Sequence, residues 1–204
     1  MIGAVPPGRR RMTRYIAFLR AINVGGHTVR MEDLRALFTS LSFASVKTFI
    51  ASGNVAFTAV SGSEASLQAK IERRLREALG YEVATFLRTD AEVAEVASYR
   101  PFPEPILASA AALNVGFLAK PLSAEAARIL GRFETEIDTF HLHGRELIWL
   151  CRKKQSESTF SNVALERALG IRATFRGMNT VRKLAERYPP LVTAAPPPPR
   201  KKGG

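Results

Sequence analysis

Apolar residues along this chain recur in two rhythms, one of short dense runs and one of helical spacing, and the rhythm switches at regular intervals. Residues 15–20 (YIAFLR) form a continuous apolar run, short enough for a buried strand. After the loop 21–30 (AINVGGHTVR), Met31, Leu34, Leu37, Phe38 and Leu41 return at helical spacing. Glu32 and Asp33 fall in the first turn of that helix, where carboxylates favour its positive end. Residues 46–51 (VKTFIA) read as a second strand and residues 55–59 (VAFTA) as a returning third. Ser52, Gly53 and Asn54 form the turn between them, because Gly and Asn accept positive φ. Ser63 is placed to cap a helix with the stripe Leu67, Ile71, Leu75 and Leu79, and Gly80 stops it. Residues 82–88 (EVATFLR) close the set, giving the order β-α-β-β-α-β.

The plan then repeats. Thr89 and Glu92 make a capping-box pattern that opens a connector helix through Tyr99. Pro101, Pro103 and Pro105 forbid regular structure and mark a domain boundary between Tyr99 and Ile106. Residues 111–118 (AALNVGFL) read as a strand, and Ser123 caps a helix with Ala126, Ala127, Leu130 and Phe133 inward. Residues 137–142 and 145–150 form a hairpin around His143 and Gly144. Ser161 caps the next helix, Gly170 stops it, and residues 171–176 are the last strand. A further helix, 180–188, carries Val181, Leu184 and Tyr188 on one face. Two copies of β-α-β-β-α-β predict an α+β fold of two tandem ferredoxin-like units with antiparallel sheets and a C-terminal helix. The units fall at 12–99 and 107–190. The alternative is one mixed sheet shared by both halves.

This topology has a functional consequence. In a β-α-β unit the first two strands point the same way. The end of the first strand and the turn after the second therefore lie on one edge of the sheet, which sets residues 21–26 beside Ser52, Gly53 and Asn54.

Composition narrows the setting. The chain has 204 residues with 46% hydrophobic, enough to bury a core without disulfides or metals. Its one cysteine, Cys151, forms no intrachain disulfide, and no Cys/His spacing suits zinc. With no apolar run near the ~20 residues that span a bilayer, a cytoplasmic location is expected, with no membrane partner. Residues 1–11 read as a disordered arm, or as sequence upstream of a start at Met12. Residues 191–204, rich in Pro and basic groups, read as a disordered tail. The formal net charge is +12, and Arg9, Arg10, Arg11, Arg200, Lys201 and Lys202 carry half of it. The charge therefore reads more as solvated surface than as a nucleic-acid footprint.

Three stretches stand out together: LRAINVGG at 19–26, ASGNVAF at 51–57 and TFRGMNTVRKL at 174–184. They resemble the mainly bacterial family catalogued as domain-of-unknown-function number 1697, with usual forms close to LRGINVGG, SGNVVF and TRNWNTVxKL. The resemblance runs from about Met12 to Tyr188 and implies an α+β fold of ferredoxin-like type, with no activity to carry over. Where that family has Asn-Trp, this chain has Gly177-Met178. If the Trp stacks on a ligand in relatives, that contact is lost here; if it is core, Met178 fills the space.

The three stretches are also the candidate site. Asn23, Gly25 and Gly26 follow a strand and precede a helix, a setting that lets backbone N–H groups approach an anion, or simply a tight turn. Ser52 and Asn54 form a hairpin turn that also presents an amide. Arg176 stands before a helix that Asn179 or Thr180 caps, an arrangement suited to phosphate or carboxylate. A small anionic ligand, of nucleotide or phosphate type, is the leading expectation, with no cofactor and no metal called for. An enzyme of unknown reaction at the same loops, with Ser52 near His27, is a second reading, and weak nucleic-acid binding through the basic surface and tails a third. Cys151, Trp149 and the Phe residues read as core, and His141 and His143 share a face near a turn.

Overall fold

The computed structural model describes residues 12–23, 26, 28–50 and 53–191. Along it run β1 (Met12–Leu19), α1 (Met31–Thr39), β2 (Ala44–Phe49), β3 (Asn54–Val60), α2 (Glu64–Leu79), β4 (Thr85–Thr89) and α3 (Asp90–Ser98). Then follow α4 (Glu104–Ala108), β5 (Ala112–Leu118), α5 (Ala124–Leu130), β6 (Asp138–His143), β7 (Glu146–Cys151), α6 (Asn162–Leu169), β8 (Ala173–Gly177) and α7 (Met178–Arg187). The first sheet has the order β2-β3-β1-β4 and the second β6-β7-β5-β8. Every neighbouring pair is antiparallel, and no strand is shared. These are two tandem ferredoxin-like units, each followed by a helix.

The local signals work as their chemistry requires. Side chains of Ser63, Ser123 and Ser161 each accept from a backbone N–H in the first turn of their helix. Thr89 and Glu92 form a complete capping box. Gly80 and Gly170 end α2 and α6 in the left-handed conformation, with φ of 80° and 63°.

The dense apolar run in β1 has a tertiary cause. Tyr15, Ala17 and Leu19 face α1 and α2, with Leu34, Phe38, Ile71 and Leu75. Ile16 and Phe18 face the opposite way, into a second core with Phe86, Val115, Phe117, Ile148 and Leu150. The two sheets thus pack against each other through the faces their helices leave bare. The Phe18 and Phe117 rings stack there with centroids 3.8 Å apart. Beyond the second sheet, Leu147, Trp149 and Cys151 pack with Leu130, Phe160 and Leu165. The result is four layers: helices, sheet, sheet, helices.

Three expectations need correction. The Pro-rich stretch is not devoid of regular structure: Pro105 sits in the first turn of α4, where its missing N–H has no intrahelical acceptor to lose. The helix after residue 89 is more than a connector. Val93, Val96 and Ala97 of α3 join Met178, Val181 and Leu184 of α7 in the inter-sheet core, so each unit contributes a corresponding helix to its closure. Neither Asn179 nor Thr180 caps α7, because the helix begins at Met178, with Gly177 at the N-cap and no side-chain cap. Residues 1–11 and 192–204 lie outside the described residues. Leu191, assigned to the tail, donates its N–H to Asp90 Oδ2 at 2.9 Å.

Candidate functional site

The end of β1 and the turn before β3 do meet. The Leu19 N–H donates to the Gly53 carbonyl at 2.8 Å. Gly53 has φ +73°, and a Cβ there would lie 2.8 Å from Ile22 Cγ2, so only glycine allows this approach. In the following loop, Asn23 Oδ1 accepts from the Val29 N–H at 2.8 Å, Tyr81 Oη donates to the Ile22 carbonyl, and Gly26 takes φ +86°. Gly25, Ser52 and His27 lie outside the described residues.

Arg176 reaches this edge from the other unit. Its Nε donates to Asn54 Oδ1 at 2.6 Å. Its remaining four N–H groups go to Thr174 Oγ1, the Phe175 carbonyl, the Leu19 carbonyl and the Gly53 carbonyl. All five donors of the guanidinium are thereby used. The residue is 8% exposed, and burial with neutral partners pulls its pKa down to about 10. Asn54, fully buried, also donates from Nδ2 to the Phe49 carbonyl. Arg176 therefore ties together all three stretches singled out in the sequence.

The same device occurs in mirror role in the other unit. Arg88 lies opposite Ile16 in the first sheet, as Arg176 lies opposite Val115 in the second. Arg88 Nη2 donates to the Leu118 and Arg145 carbonyls, at the end of β5 and the turn before β7. These correspond to Leu19 and Gly53. The guanidinium of each arginine lies over a core ring, Phe117 for Arg88 and Phe18 for Arg176. Two partners differ: the Arg176 bond to Thr174 Oγ1 has no counterpart at Phe86, and the side-chain acceptor of Nε changes. Where Arg176 meets the amide of Asn54, Arg88 meets the carboxylate of Glu146 at 2.5 Å. Burial lowers the Arg88 pKa, and Glu146 opposes that shift.

Asn179 belongs to a different place. It lies in the first turn of α7, with Thr180 next to it. A cleft of ≈ 730 Å³ opens there between α4, the start of β5, residues 154–155 and α7. Arg100, Lys154, Arg182, Asn114 and Asn179 line it, with Glu104 as the one carboxylate in the lining. Two N–H donors in this wall are buried without a partner among the described residues: Asn114 Nδ2 and Arg182 Nε. Asn114 is 7% exposed. Sequence reasoning passed over both. A polar Asn inside the apolar run AALNVGFL was the available signal, since a buried amide needs partners.

The corresponding end of α3 is closed. Thr89 Oγ1 accepts from the Glu92 N–H and Asp90 Oδ1 from the Ala91 N–H, the Glu92 carboxylate accepts from the Thr89 N–H, and Arg14 sits 3.8 Å from the Asp90 carboxylate. α7 begins instead on Gly177, which offers no side chain to its free N–H groups. Met178, at the position where the resembled family carries Trp, is 1% exposed and packs in the inter-sheet core.

Other chemistry-bearing groups pair among themselves. Tyr99 Oη lies 2.9 Å from His141 Nε2, and His143 Nε2 lies 3.1 Å from Glu95 Oε1, joining α3 to β6 across the two units. Burial, and then the neighbouring His143, lower the pKa of His141. Cys151 is fully buried, and burial raises its thiol pKa. Among the described residues no group of three His, Cys, Asp or Glu is placed to hold a metal, and no helix is long and apolar enough to cross a membrane.

No curated protein matches the chain. A solved structure, the conserved bacterial protein SP0830 from Streptococcus pneumoniae, is similar in fold with a TM-score of 0.70 at 22% identity. The match covers 87% of this chain and 99% of that one. A family described as "Protein of unknown function (DUF1697)" matches residues 12–148. That span takes in β1 through Ile148 of β7, and with it the first two motif stretches and the buried Arg88–Glu146 pair. The chain belongs to this family.

Proposed function

We propose that this protein binds an anionic small molecule in the cleft at the start of α7. One observation carries the reading: two buried donors, Asn114 Nδ2 and Arg182 Nε, stand in the wall of one cleft with no acceptor from the described chain. Buried donors are paired in the great majority of native structures, so two in one wall point to a ligand with acceptor oxygens. The open N-terminus of α7 adds its N–H groups and the positive end of the helix dipole. In this reading Asn179, in the cleft lining, faces the anion. Asn23, Gly26, Asn54 and Arg176 hold the frame on which β8 delivers α7.

The test is calorimetric titration of the full chain with inorganic phosphate and sulfate. Arg182→Gln removes the charge and should weaken binding by about 1.5–3 kcal/mol, the range for a hydrogen bond to a charged group. Asn114→Ala should weaken it by roughly 1 kcal/mol. Equal affinity in the parent chain and Arg182→Gln would sink the proposal. Binding that instead falls steeply with salt and follows the basic termini would favour nucleic acid.

A further inference from the structure

We infer that the ligand is a soluble organic phosphomonoester, a dianionic head on an apolar body. The inference rests on the anion-binding reading above and adds the class of molecule. Charge selects the head. Arg100, Lys154 and Arg182 face the single carboxylate of Glu104, which leaves two positive charges in excess. A phosphomonoester carries about −1.5 to −2 at neutral pH, whereas a carboxylate carries one charge. The donors agree with this. Asn114 Nδ2, Arg182 Nε and the first-turn N–H groups of α7 come from β5 and α7, and three terminal phosphate oxygens can receive bonds from both elements.

The rest of the wall selects the body. Leu107, Ala110, Leu113 and Met178 line the same cleft. Leu107 and Leu113 are half-buried, and an apolar group beside them would remove that remaining surface from water. At ≈ 730 Å³ the cleft is of the size that takes a small organic ligand, ~300–1,000 Å³, rather than a lone oxyanion. Arg100, Asn114, Lys154, Asn179 and Arg182 supply donors to the lining, and Leu107, Ala110, Leu113 and Met178 supply its apolar part. A head-and-body ligand matches that division.

The experiment compares inorganic phosphate, phenyl phosphate and benzoate by calorimetry on the full chain. Phenyl phosphate should bind about tenfold or more tighter than inorganic phosphate, because only it covers the apolar wall. Benzoate should bind more weakly than phenyl phosphate. Leu107→Ser should lower the ratio of phenyl phosphate to inorganic phosphate affinity, and Arg182→Gln should weaken both phosphates about tenfold or more. The ratio in the unaltered chain needs no variant to fold. Equal affinities for both phosphates, each dependent on Arg182, overturn the organic body and leave anion binding standing. Tighter benzoate binding overturns the phosphate head. Recruitment to vesicles containing phosphatidic acid, lost in Arg182→Gln, would move the same chemistry to a lipid and overturn the soluble ligand. No binding of any probe removes the anion reading and the inference with it.

Discussion

The two buried arginines sit in matching carbonyl frames and only Arg88 has a carboxylate partner, so they form an internal comparison for the cost of burying charge. Arg88→Met leaves the Glu146 carboxylate without its cation at 6% exposure. Breaking one side of a buried pair costs about 3–5 kcal/mol. Arg176→Met breaks five hydrogen bonds, but it also removes a charge that no carboxylate balances. Burial holds that guanidinium down at about 10, well below its usual range, which corresponds to roughly 3 kcal/mol of charge-burial cost. The folded pKa is the lower one, so this cost is fully present at pH 7 and disappears only as pH rises past both values. Its relief offsets much of the hydrogen-bond loss, and the net for Arg176→Met should be about 1–3 kcal/mol. The double change Arg88→Met with Glu146→Gln removes the stranded carboxylate and should recover about 2 kcal/mol over Arg88→Met alone. Urea unfolding followed by the fluorescence of Trp149, the chain's one tryptophan, reads all of these at constant m-value. The reasoning fails if Arg176→Met costs as much as Arg88→Met, or if the double change is no more stable than the single.

Three further outcomes are expected. Gly53→Ala should destabilise by about 1–3 kcal/mol, because its φ of +73° and the 2.8 Å approach to Ile22 Cγ2 both oppose a side chain; a melting temperature equal to the parent's would contradict this. His141 has a depressed pKa in the fold, so the unfolded chain takes up its proton first, and stability should fall as pH drops below about 6.5. His141→Gln should flatten that slope in pH-dependent unfolding, and an unchanged slope would rule the group out. Cys151 should resist alkylation in the native state and react only after denaturation, and rapid native labelling would disprove its burial.

The sequence determined the element order, the repeat and most helix ends, because those depend on neighbours a few residues apart. Ser63, Thr89 and Gly80 act on their own helices, and no distant contact overrides them. The convergence of Leu19–Gly53 followed from topology alone, since β1 and β2 run the same way. Strand limits were less legible: β2 is Ala44–Phe49 and β4 is Thr85–Thr89, because register with β3 and β1 decides where pairing stops. Only the tertiary structure decided what covers the second face of each sheet. Ile16 and Phe18 announce a buried face without naming its partner, and Phe117 supplies the answer from about a hundred residues away. That packing carries Arg176 across to Leu19, Gly53 and Asn54, where its own sheet could not bring it. It also places α4 and residues 154–155 against the start of α7, making a cleft wall from Asn114 and Arg182. Neither residue is remarkable in the string, because a donor becomes chemically available only when the rest of the fold has buried it and used none of its own acceptors to satisfy it.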